Sequence, residues 1–169
     1  MDATVKLHSL SYNQAKTYIF TLLFVMGNIA LPQLCHLVPN GGLMLLPIYF
    51  FTLIAAYKYG LTVGLLTAIL SPLANHLLFG MPSASVLLPI LAKSSVLALA
   101  AAGMAKYFRK VSIWGVILAV LAYQFAGILI ELIIYKDIFV AAQDFRIGIP
   151  GILIQIVGGY ALLKAIAKL

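Results

Sequence analysis

Hydrophobic positions gather into six long runs, separated by short polar or Gly/Pro-rich breaks. The first extends from about Thr17 to Val38 and stops at Pro39-Asn40-Gly41-Gly42, a strong turn signal. The second covers Leu43 to Tyr57, and the third runs from Gly60 to Phe79 ahead of Gly80-Met81-Pro82-Ser83. Ala84 to Phe108, Ser112 to Tyr135 and Ile147 to Leu169 complete the set, with one sizeable polar connection, Lys136 to Arg146. A bilayer crossing takes roughly 20 apolar residues, because a helix rises about 1.5 Å per residue through a hydrocarbon layer about 30 Å thick. The pattern therefore predicts an all-α integral membrane protein of six transmembrane helices, a single transmembrane domain over residues 1–169.

Charge tests that count. If alternate connections lie on opposite sides, Lys6, Lys16, Lys58, Lys106, Arg109, Lys110, Lys164 and Lys168 all fall on one side, the cytoplasm by the positive-inside rule. The other side holds Lys136 and Arg146, balanced by Asp137 and Asp144. Both termini are then cytoplasmic, and an odd number of helices would scramble the separation. Tyr57, Tyr59, Tyr107 and Trp114 also fall at the inner boundary, where amphipathic rings are favoured.

Composition agrees. The 169 residues are 64% hydrophobic and 9% charged, where a soluble domain is about a quarter charged. The net charge of +7 comes from bases scattered at run ends instead of a stripe with interleaved aromatics, so no nucleic-acid partner is expected. Cys35 has no second thiol to pair with and reads as a small buried hydrophobe. The first run ends without a small-residue cleavage site, as a retained helix does.

Polar residues inside the runs concentrate in the outer half. Gln33 and His36 lie near the outer end of the first run with Asn40 in the turn, and Asn75 and His76 lie near the outer end of the third. Lys93 is near mid-depth on the fourth, Glu131 about one turn below the outer end of the fifth, and Gln155 about two turns into the sixth. An ionisable group within the bilayer costs a few kcal/mol or more unless paired or hydrated, so Lys93 and Glu131 define the candidate site. Side chains lean toward their helix N-terminus, which tips Lys93 outward and Glu131 inward to a common depth. Gln124 shares a face with Glu131 two turns away, with Gly127 between them. A structural ion bridge would need no cavity and no further polar neighbours; a binding pocket would recruit both. Asn28 reads as an interhelical hydrogen bond.

No Walker motif, HExxH, GxSxG or dinucleotide fingerprint occurs, and no nucleophile or carboxylate pair is set for acid-base work, so no enzymatic activity is expected. His36, His76 and Cys35 offer metal-ligand chemistry, but no spacing enforces a site and no metal is expected.

Six runs in so short a chain, both ends inside, a polar outer half and the stretches LPQLCHLVPNGGLMLLPIYFFTLIAAYKYG (ending at Gly60) and AAQDFRIGIPG (Ala141 to Gly151) resemble the substrate-binding S components of energy-coupling factor (ECF) vitamin transporters. The resemblance implies capture of a small water-soluble vitamin or related nutrient at the bacterial cytoplasmic membrane. It also implies association with a transmembrane T component and two cytoplasmic ATPases, which consume the ATP; no cofactor belongs to this chain. It further implies a pocket built from Lys93, Gln124, Glu131, Gln155 and the segments around Asn40, Met81 and Gln143. Many members dock the T component through AxxxA on the first helix, where this chain has Thr17-xxx-Thr21. A reading of a different class is a self-contained proton-coupled small-molecule carrier or channel, with Lys93 and Glu131 relaying protons; no internal repeat supports it.

Overall fold

The computed structural model describes Leu7 and residues 9–168, all of whose regular structure is helical. Lys6 and Leu169 lie outside the described residues, as does the side chain of Lys168. Four helices are long and apolar enough to cross a bilayer: α1 (Ala15–Cys35), α4 (Leu61–Phe79), α5 (Ala84–Phe108) and α6 (Ile113–Tyr135). Between 28% and 39% of each apolar window is buried inside the protein. The rest turns large apolar side chains outward, among them Leu23, Met26, Leu77, Leu129 and Ile133. Helices apolar on every side, with leucines and isoleucines on the outer surface, are built for lipid.

The second run is not one helix. It breaks into α2 (Gly41–Leu45), a 3-10 turn at Pro47–Tyr49 and α3 (Phe50–Tyr59). Pro47 is the reason, since a residue before proline is driven out of the right-handed helical region. Leu46 takes a left-handed conformation at φ 48°, which costs a non-glycine residue about 1–2 kcal/mol. The break turns the Leu46 carbonyl toward Gln155, whose Nε2 donates to it at 3.3 Å. α3 is a central pillar packed against α1, α4, α5 and α10 (Gly159–Ala165), with every residue from Thr52 to Tyr59 buried. Lys58, expected at a polar boundary, is thus enclosed, and its Nζ donates to the Ala167 carbonyl at 3.2 Å. A Cβ on Gly64 would stand 2.5 Å from the Cβ of Ala56, so this glycine lets α4 approach α3 closely.

The sixth run is interrupted as well. α9 (Ile149–Leu153) passes through a π turn at Ile154–Gly158 into α10, and the wide turn carries the buried Gln155. The polar connection before it folds into α7 (Ile138–Ala141) and α8 (Gln143–Arg146). Asp137 caps α7, its Oδ1 accepting from Phe139 N at 2.7 Å and Val140 N at 3.3 Å.

The two ends of the bundle differ in charge. At one, Tyr57 Oη donates to the Lys110 carbonyl at 3.1 Å, Leu10 N donates to the Tyr59 carbonyl at 3.2 Å, and Lys58 meets Ala167. The N-terminal segment, the end of α3, the basic α5–α6 connection and the C-terminus therefore meet. At the other, Tyr135 Oη donates to the Ser85 carbonyl at 3.3 Å, and Gly151 lies against the backbone of Leu45.

Candidate functional site

Lys93 lies on α5 with its aliphatic stem laid across Gly127 of α6, where a Cβ would come within 2.8 Å of its Cε. Only glycine leaves that channel open, and it delivers the ammonium to two carboxylates. Nζ is 3.1 Å from Glu131 Oε1 and 2.5 Å from Asp144 Oδ2. The lysine side chain is 3% exposed, against 14% for Glu131 and 12% for Asp144. Depth reasoning brought Lys93 and Glu131 together; it missed Asp144, read as a solvent-side balance for Lys136 and Arg146. The folding of α7 and α8 swings Asp144 inward, where Lys93 compensates its desolvation. Lys93 also lies over the Tyr49 ring, 6.0 Å from its centroid.

Beside this ion cluster runs a chain of neutral hydrogen bonds. Gln124 Nε2 donates to Tyr123 Oη at 2.9 Å, Tyr123 Oη donates to Gln155 Oε1 at 2.8 Å, and Gln155 Nε2 reaches Leu46. Tyr49 and Tyr123 pack with ring centroids 5.2 Å apart, joining the two systems. Neither tyrosine was singled out in the sequence, where a ring within an apolar run looks like core. Gln124 Oε1 is buried without a partner among the described residues.

A second polar knot centres on Asn28. Its Nδ2 donates to Thr52 Oγ1 at 3.1 Å and Ser71 Oγ at 3.2 Å, while its Oδ1 accepts from Phe51 N at 3.1 Å. This is the interhelical role expected of it, tying α1, α3 and α4. Asn75 joins the knot by donating from Nδ2 to the carbonyls of Asn28 at 2.9 Å and Ser71 at 3.0 Å. Among the described residues its Oδ1 has no partner. His76 Nδ1 lies 2.7 Å from the Pro82 carbonyl, fixing the loop between α4 and α5.

Over this second knot the end of the bundle opposite the basic connection opens into a cavity of about 600 Å³. Its floor is buried, formed by Pro32, Pro47, Ile48 and Asn75. Its mouth is exposed, formed by His36, Asn40, Met81 and Val86 among others. No protein-family profile, curated protein or solved structure matches the chain. Geometry must therefore carry the functional reading. Of the candidate residues, His36, Asn40 and Asn75 line the cavity; Lys93, Glu131, Gln124, Gln155, Gln33 and His76 do not. The single pocket expected around Lys93 is thus two features, an ion cluster between α5, α6 and α8, and a hollow between α1, α2, α4 and α5. Among the loop segments, those around Asn40 and Met81 contribute to the hollow and that around Gln143 does not. Among the described residues no three His, Cys, Asp or Glu side chains are grouped to hold a metal ion. Thr17 and Thr21 face inward at 0% and 4% exposure, so that spacing presents no outer docking surface.

Proposed function

We propose that this chain is the substrate-binding membrane subunit of an ECF-type importer, binding a small water-soluble vitamin or related nutrient and catalysing nothing itself. It crosses a bacterial inner membrane six times, four times through the long helices and twice through the broken segments 41–59 and 149–165. Both termini are cytoplasmic, because the basic α5–α6 connection marks the inner end. A transmembrane T component and two ATPases supply the driving force. The observation that carries the reading is the hollow of about 600 Å³ at the opposite end, within the range of about 300–1,000 Å³ usual for small-molecule sites.

Mass spectrometry of the protein purified from its native membrane, beside a Val86→Trp variant that fills the mouth, tests it. The wild type should retain a small molecule that the variant loses, and that molecule should enter cells only with active partner ATPases. Equal retention by both proteins would remove the hollow from consideration. One observation favours a self-contained proton-coupled carrier: Lys93 faces two carboxylates instead of one. Uptake by the purified chain alone in proteoliposomes, driven by a pH gradient, would decide for it.

A further inference from the structure

We infer that the basic end of the bundle holds a binding site for one anionic phospholipid, with its phosphate on Lys106 and an acyl chain in the groove beside α5. The inference goes beyond the reading of the hollow and rests only on the four long helices lying in a bilayer. The groove, of about 520 Å³, lies between the end of α3, the start of α4 and the last turns of α5. Ala56, Tyr57, Leu61, Leu99 and Gly103 line it, and among the described residues Lys106 is the single charged one in its walls. α5 holds 25 residues, about 37 Å of helix against a hydrocarbon layer of about 30 Å, so its last turn reaches the headgroups. Leu99, 53% exposed, lies two turns from Lys106, about 10 Å deeper. The groove thus runs from a cation at headgroup level to apolar surface at acyl-chain level.

The protein supplies this cation with no counter-charge. Of the four acidic residues, Glu131 and Asp144 are engaged with Lys93 and Asp137 caps α7 at the opposite end, while Asp2 lies outside the described residues. Among the described residues Lys106, Arg109 and Lys110 form no ion pair. Tyr57, whose ring lines the groove, fixes the connection that carries the last two: its Oη donates to the Lys110 carbonyl at 3.1 Å and accepts from Ser112 N at 3.3 Å. Two further exposed bases are therefore held near the mouth. Each base at the membrane surface favours anionic lipid by about fivefold, and burying a chain in the groove adds apolar contact that a free headgroup does not gain. A partner helix would have to bring its own carboxylate to this level, whereas an anionic phospholipid carries its charge there by construction.

Native mass spectrometry of the full chain released from detergent, titrated with phosphatidylglycerol or with phosphatidylcholine of identical chains, tests the site. One phosphatidylglycerol should bind ahead of all others, at least fivefold more tightly than phosphatidylcholine. Lys106→Gln should weaken it about fivefold and leave phosphatidylcholine unchanged. Gly103→Trp fills the groove where an added Cβ meets nothing within 4 Å, so the fold is kept and the tight site should disappear. Lys164→Gln, at the same end but outside the groove, should change nothing, and glycerol 3-phosphate should not compete. Equal binding of the two lipids, or an equal loss for Lys164→Gln and Lys106→Gln, would overturn the site and leave only the general attraction of a basic end. Displacement by glycerol 3-phosphate would overturn the role of the acyl chain. Phosphatidylglycerol binding that survives Gly103→Trp would overturn the groove as a lipid site and leave it open to a partner helix.

Discussion

The Asn28 knot and the Lys93 cluster are both buried polar systems that tie helices together, yet they are built on opposite principles. Around Asn28 both amide hydrogens and the amide oxygen are engaged, and Asn28, Thr52 and Ser71 are 0% exposed. Nothing in it carries charge. Around Lys93 one ammonium faces two carboxylates, so the fully ionised cluster holds one negative charge in excess. The residual exposure falls on the partners in surplus, 14% for Glu131 and 12% for Asp144, and not on the lysine at 3%. A neutral network can be completed by neighbouring helices alone. A charge surplus in an apolar bundle needs a contact with water, a proton or a cation, and the cluster keeps its carboxylates where such a contact is within reach.

The strongest way to break this comparison is to remove the shared cation. Lys93→Met leaves two buried carboxylates facing one another, and loss of one member of a buried ion pair costs about 3–5 kcal/mol. Thermal unfolding in detergent should show that variant as the least stable of the single substitutions, with stability largely restored when Glu131→Gln and Asp144→Asn are added. An unchanged unfolding temperature for Lys93→Met would mean that the ions are hydrated and the cluster is not a buried one. Asn28→Leu comes next. It takes the donor from Thr52 Oγ1 and Ser71 Oγ and the acceptor from the Phe51 amide, at about 1–3 kcal/mol, because each hydroxyl still has its own O–H to donate while the amide is left with nothing. Stability equal to wild type would show that the neutral knot contributes specificity without holding the helices.

Much of the architecture is legible in the sequence because apolar run length and charge sorting act along the chain, in one dimension. The four long helices fall close to their runs for that reason. Depth is legible too, since rise per residue converts position into height, and it sufficed to bring Lys93 and Glu131 to one level. Azimuth is not. A helix apolar on every side gives no periodicity from which to read which way it faces, so His36, Asn40 and Asn75 were grouped with Lys93 although they surround a different hollow. Asp144 escaped for a related reason: it lies between Lys136 and Arg146 in a polar stretch, and only the folded path of α7 and α8 turns it inward. A proline inside an apolar run, such as Pro47 or Pro150, is legible as an interruption, whereas the left-handed turn at Leu46 and the π turn at Gln155 lie where α2 meets α9 and Gln155 Nε2 meets the Leu46 carbonyl, contacts between stretches far apart in sequence.

Gly127→Ala probes the same cluster more gently. The added Cβ lies 2.8 Å from Lys93 Cε, the flexible part of a long side chain, so the stem should shift and the helices stay in place, for about 1 kcal/mol. Gly103→Ala, with nothing within 4 Å of the added atom, is the matched control and should be neutral or slightly stabilising through backbone entropy. A loss for Gly103→Ala as large as that for Gly127→Ala would mean that the effect belongs to glycine in a helix and not to the channel for Lys93.

The smallest expected effect is the most discriminating. Glu131→Gln removes one carboxylate charge, keeps the volume and a hydrogen-bonding oxygen, and leaves Lys93 and Asp144 as a balanced pair 2.5 Å apart. If the surplus charge is the feature that separates this cluster from the Asn28 knot, losing Glu131's charge should change stability by less than about 1 kcal/mol, because the lost attraction to Lys93 is offset by relief of repulsion between the two carboxylates. The same variant should abolish any proton-coupled uptake while leaving ligand retention in the hollow unchanged, because Glu131 does not line it. Measured side by side, unfolding temperature and ligand retention separate a charge held for its chemistry from one held as a tie. A drop comparable to that of Lys93→Met, with ligand lost as well, would make the ion cluster and the hollow one cooperative unit and erase the distinction drawn between the two knots.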